Sequence, residues 1–150
     1  KQDSVLRYAL IELEYNKIGG RKMSGTIIRS DIEAEHIMPK SIDKWIPELK
    51  KIPELKDADE NKIKKYQEQH LYKLGNITLV SPRANKEYSD KPFTIKKNGE
   101  EPDFIGYRDE TIKITSNLND ETKWTDKEID ARQERFADKA TKIWDLKLID

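Results

Sequence analysis

The chain has no cysteine, which removes disulfides and thiolate zinc sites together and leaves a secreted protein without its usual signature. Any metal must therefore sit on oxygen and imidazole. Histidine is also scarce, with His36 and His70 the only two. No apolar run approaches the roughly 20 residues that a membrane-spanning helix needs, and Lys1-Gln2-Asp3-Ser4 does not lead into a signal-peptide pattern. A cytoplasmic protein with no membrane partner is the expectation. Net charge is missing as well, because 29 basic and 29 acidic side chains cancel. The total charge thus lacks the basic footprint of a nucleic-acid binder. Binding to nucleic acid would need basic residues clustered beside a site, or affinity supplied by another domain.

What is present fits one globular domain. The 150 residues are 35% hydrophobic and 39% charged, which predicts an economical core under a heavily charged surface. The first residue, Lys1, is not Met, and the expectation is a fragment of a larger protein. Leu6, Leu10 and Leu13 share one helical face over the first 15 or so residues, with a stop near Gly19-Gly20. Thr125-Asp126-Lys127-Glu128 has the form of a capping box, and Ile129, Phe136, Ala140, Ile143 and Trp144 recur on one stripe after it. A third helix is expected over 58–74 from Ile63, Tyr66, His70 and Leu74. Strand-like pieces run from Thr26 to Met38 and from Asn76 to Val80, with Thr111–Thr115 as a short edge strand. Residues 43–73 open with a stretch dense in Lys, Glu and Pro and read as a surface insertion within the single domain 1–150.

Three stretches carry chemistry: Glu33-Ala34-Glu35-His36-Ile37-Met38-Pro39, then Leu74-Gly75-Asn76-Ile77-Thr78-Leu79-Val80, then Arg83-Ala84-Asn85-Lys86-Glu87-Tyr88-Ser89. In this order they resemble the HNH (ββα-metal) nuclease superfamily. More closely, with Ser89-Asp90-Lys91-Pro92-Phe93, Trp124, the Arg132 region and Ile143-Trp144, they are similar to the C-terminal domain of GmrSD-type modification-dependent restriction enzymes. The resemblance implies an α+β domain, with a ββα-metal core flanked by N- and C-terminal helices. It also implies DNA as substrate and an NTPase-like domain N-terminal to this one in the same protein.

Hydrolysis of a phosphodiester requires an activated water, neutralised phosphoryl oxygens and a stabilised leaving oxygen. A neutral imidazole suits the first task and a hard divalent cation the other two. His36 is the expected general base, with Glu35 and Asn85 as metal ligands in a site that favours Mg2+ or Mn2+. Asp31 and Glu33 stand near enough to replace Glu35. By the family pattern Asn76 braces the hairpin or orients the catalytic loop rather than holding the metal. Adjacent side chains of a regular strand point to opposite faces, so for Glu35 and His36 to share a site the strand must break there, near Pro39. Arg83, Lys86 and Lys91, followed by Lys96 and Lys97, are candidates for a phosphate-binding rim.

Plainer readings accompany each residue. Asn76 after Gly75 is an ordinary turn residue, Asn85 could cap a helix beginning near Lys86, and His70 belongs to the apolar face of its helix. Trp45, Trp124 and Trp144 read as core and lid aromatics rather than base-stacking platforms. The alternative to an endonuclease is a catalytically inactive nucleic-acid-binding or protein-interaction module on the same fold.

Overall fold

The computed structural model describes residues 2–17, 19, 31–100, 102 and 104–144. The protein is an α+β fold built around a two-stranded antiparallel hairpin. Strand β1 (Glu33–His36) pairs with β2 (Ile77–Val80) in the register Glu33 to Val80, Ala34 to Leu79, Glu35 to Thr78 and His36 to Ile77. Residues 26–30 of the longer strand expected from the sequence lie outside the described residues.

All four residues of β2 are buried, because the hairpin is covered on both faces by separate hydrophobic clusters. On one side α1 (Gln2–Lys17) presents Leu10 and Leu13, which meet Ile77, Leu79, Ile114 and Phe136. Each such leucine contributes about 1.5–3 kcal/mol by leaving water. On the other side Ile37, Met38 and Val80 pack with Trp45, Tyr88, Phe93 and Trp124. Residues 43–73 feed that second cluster, since Trp45, Leu49 of α2 (Ile46–Leu49), Leu55 and Ile63 of α3 (Glu60–Leu71) are all 2% exposed or less. Their charged residues face water while every few positions an apolar anchor turns inward. Trp45 fixes the segment further by donating its Nε1 proton to the Lys91 carbonyl at 2.9 Å.

Helix α7 (Asp126–Ile143) begins at a complete capping box. The Lys127 N–H donates to Thr125 Oγ1, and Glu128 Oε2 accepts from the Thr125 N–H at 2.8 Å. The helix lies so close to the turn before β2 that a Cβ on Gly75 would stand 2.0 Å from the Ile129 carbonyl oxygen. Only glycine fits there. Arg132, on the buried stripe of α7, donates to the carbonyls of Gly75 and Ile77 at 2.7 Å and thereby ties the helix to the start of β2.

Two local expectations are corrected. Residues 111–115 do not form an edge strand; they lead into α6 (Lys113–Ser116). The cause is tertiary, because the Glu14 carboxylate on α1 accepts from the Lys113 and Ile114 N–H groups at 2.7 and 2.8 Å and so satisfies the open donors of a helix start. Helix α4 (Pro82–Tyr88) begins four residues earlier than Lys86, with Ser81 as its N-cap and Pro82 in its first turn. Asn85 is therefore inside the helix and caps nothing. A second hairpin, β3 (Gly99–Glu100) with β4 (Phe104–Ile105), follows α5 (Phe93–Asn98).

Candidate active site

The hairpin and α4 bring the three sequence motifs together. β1 carries Glu33, Glu35 and His36, and α4 runs alongside it with Asn85. These four residues line one open cleft of about 690 Å³, with Arg7 of α1 and Lys40 on its wall. The ladder runs through His36 and ends there. Alternation still holds, with Glu33 and Glu35 on one face and His36 on the other. All three reach the cleft because His36 is the last residue of the strand, at the point where the chain bends toward Pro39.

The carboxylates differ in surroundings. Glu33 is exposed, and its Oε2 accepts from Asn85 Nδ2 at 2.7 Å. Glu35 is buried, and its Oε1 accepts from Lys96 Nζ at 2.6 Å and from the Tyr107 hydroxyl at 3.1 Å. Burial pushes the Glu35 carboxyl up from its ordinary value, with Lys96 and Tyr107 opposing the rise. Burial likewise pushes the Lys96 ammonium down, opposed by Glu35. Each charge is thus sustained in a dry setting chiefly by the other. His36, 8% exposed, meets the Tyr72 ring edge-on with centroids 5.4 Å apart.

Asn76 is fully buried and saturated. Its Oδ1 accepts from the Met38 N–H at 2.9 Å and from Trp124 Nε1 at 3.0 Å, and its Nδ2 donates to the carbonyls of Met38 at 3.0 Å and Leu71 at 3.1 Å. Both polar ends serve to clamp the Ile37–Pro39 bend against the turn before β2. Asn85 presents the opposite case. Asn is a poor residue for a helix interior, costing about 0.6 kcal/mol against Ala, and here it turns an amide toward the cleft.

The basic residues separate in the same way. Arg83 is exposed and paired with Glu87 at 2.8 Å, Lys86 is exposed, and Lys91 lies 3.9 Å from Glu100 and over the Phe104 ring. None of the three lines the cleft. Lys96 cannot belong to a solvent rim, since it is 0% exposed. Its spacing of three from Phe93 on α5 was the available signal, because that spacing places both on one buried stripe. Lys97 donates to the Glu121 carbonyl at 3.0 Å. His70 donates from Nδ1 to the Tyr66 carbonyl, 2.7 Å away, and stays with its own helix.

Among the described residues no group of three or more His, Asp and Glu side chains is gathered as a metal cluster. Among the residues lining the cleft, Glu33, Glu35 and Asn85 bring side-chain oxygens, of which Glu35 Oε1 is bonded to Lys96 and Tyr107. An oxygen set with room for water fits a hard divalent cation.

A match to a known family places the domain among restriction-endonuclease modules. The family model described as the C-terminal domain of GmrSD restriction endonucleases matches residues 1–139, and the chain belongs to that family. No curated protein matches the chain. No helix among the described residues is long and apolar enough to cross a membrane.

Proposed function

We propose that this domain is a metal-dependent DNA endonuclease of the HNH type. The observation that carries the reading is the convergence of Glu35 and His36 of β1 with Asn85 of α4, 49 residues beyond His36, on one open cleft. In this reading His36, as neutral imidazole, takes the proton of the attacking water. Asn85 and Glu35 would hold Mg2+ or Mn2+, with Glu33, already bonded to Asn85, as the carboxylate next to them. Such an ion supplies charge neutralisation at the phosphoryl oxygens and the leaving oxygen. Asn76 contacts no substrate; it holds the bend that follows His36. Arg83, Lys86 and Lys91 would meet phosphates outside the cleft, and Arg7 and Lys40 those within it. The protein works in the cytoplasm on DNA, with an N-terminal NTPase-like domain selecting the target.

With zero net charge, the domain alone is expected to hold duplex DNA weakly, with Kd of roughly 10⁻⁴ to 10⁻⁶ M and strong salt dependence. The test is plasmid nicking with Mg2+ or Mn2+. His36→Ala should lower cleavage by about 10²- to 10⁴-fold, with Mn2+ affinity by calorimetry unchanged and no rescue at high metal. Cleavage that persists at full rate in excess chelator would overturn the metal role. The Lys96–Glu35 bridge favours the alternative, a DNA-binding module without catalysis, and a folded chain that binds DNA but never cuts it would establish that alternative.

A further inference from the structure

The Lys96 ammonium has three protons, and the structure uses all three on consecutive residues. It donates to Glu35 Oε1 at 2.6 Å, to the His36 carbonyl at 3.0 Å and to the Ile37 carbonyl at 3.1 Å. These carbonyls need a donor for reasons of strand geometry. The Ile37 N–H bonds the Asn76 carbonyl at 2.9 Å, which makes that pair the hydrogen-bonded kind and leaves His36 opposite Ile77 in a non-hydrogen-bonded pair. The His36 carbonyl therefore faces away from β2, on the open edge of β1. The Ile37 carbonyl has lost its ladder partner too, since the Asn76 N–H is spent on the Lys73 carbonyl at 2.8 Å.

We propose that Lys96 is a positioning residue for the cleft: by holding the Glu35 carboxylate and the two carbonyls that follow it, it fixes the backbone at His36 and with it the direction of the imidazole. The inference rests on the reading of the cleft as a cleavage site. Lysine suits the task because a tetrahedral ammonium on a flexible stem can meet three acceptors that are not coplanar, whereas the planar guanidinium fork cannot. The Tyr107 hydroxyl, also 0% exposed, holds the same Glu35 oxygen from a second direction.

The test compares Lys96→Met and Lys96→Arg in the full chain, each well below its unfolding midpoint. For Lys96→Met, kcat should fall about 10²-fold, the loss that a misplacement of about 1 Å brings, with KM for DNA within about twofold of the parent and the fall persisting at saturating Mn2+. Amide hydrogen exchange should quicken at residues 36–38 and stay unchanged in α7. Lys96→Arg, which keeps the charge without the three-way geometry, should remain slow. Where Lys96→Met does not fold, Lys96→Gln, which retains a donor for Glu35, takes its place with the same expected split.

A folded Met or Gln variant with parental kcat overturns the inference. Recovery of kcat in Lys96→Arg overturns it also, since charge alone would then suffice, and so does a loss of Mn2+ affinity that accounts for the whole fall in rate. A parent chain that cuts no DNA with either metal strikes instead at the proposed function. A parent that cuts, beside a Lys96→Met that cuts equally well, removes only the role given to Lys96.

Discussion

Asn76 and Asn85 come from neighbouring motifs and carry the same amide, yet the turn before β2 and the surface of α4 put that amide to opposite uses. Asn76 is 0% exposed and spends both ends of its side chain on four partners. Asn85 sits half-buried on a helix and donates to one carboxylate on the neighbouring strand. The first arrangement is already complete without any ligand. The second commits only one end of an amide that lines the cleft. A buried amide saturated by backbone is an anchor, whereas an amide in a helix interior, where it costs stability, points to a use outside the fold.

Substitutions can separate the two. Asn76→Ala has the largest expected effect, because it strands the Met38 N–H, two carbonyls and the Trp124 indole N–H in a dry environment. A loss of about 4 kcal/mol is expected, lowering the thermal midpoint by roughly 10 °C. A fall of only a degree or two would show that the clamp is redundant. Trp124→Phe removes one of the four bonds and leaves the Met38 N–H on the same oxygen, so about 1–2 kcal/mol is expected in denaturant unfolding. A cost equal to that of Asn76→Ala would mean that the ring, not the amide, holds the bend. Asn85→Ala should be the mildest, since the lost bond of about 0.5–1.5 kcal/mol is largely offset by the better helix propensity of alanine. Its effect belongs instead in Mn2+ binding, which calorimetry should find weakened and which raised metal should restore to cleavage. Intact Mn2+ affinity together with a large loss of stability would reverse the contrast.

How far the sequence revealed these features depended on the range of the interactions. The α7 start was legible because its capping box lies within four residues, and β2 was legible because a short apolar run sits between a glycine and a proline. The motif order brought Glu35, His36 and Asn85 forward together. Residues 113–116 escaped because the carboxylate that turns them into a helix is Glu14, a partner 100 residues away along the chain. Lys96 escaped for the same reason. In a run of lysines it resembles a solvated side chain, and only the placement of β1 beside α5 gives its ammonium three acceptors. The 43–73 segment was read by its charge density, which hid how regularly Trp45, Leu49, Leu55 and Ile63 turn inward.

The Asn76–Met38 clamp closes a span of 38 residues, and the Glu14–Ile114 bond one of 100, which bears on the order in which the chain folds. Closure entropy grows only with the logarithm of length, so the longer span costs only about 1 kcal/mol more than the shorter. Helices such as α3 and α7 form from local contacts and need neither closure. The cleft needs the first, because its imidazole and its helix amide come from opposite ends of the clamped span. A nick or substitution that lets this span reopen at its base would leave a chain still rich in helix by circular dichroism, yet with no cleft at all.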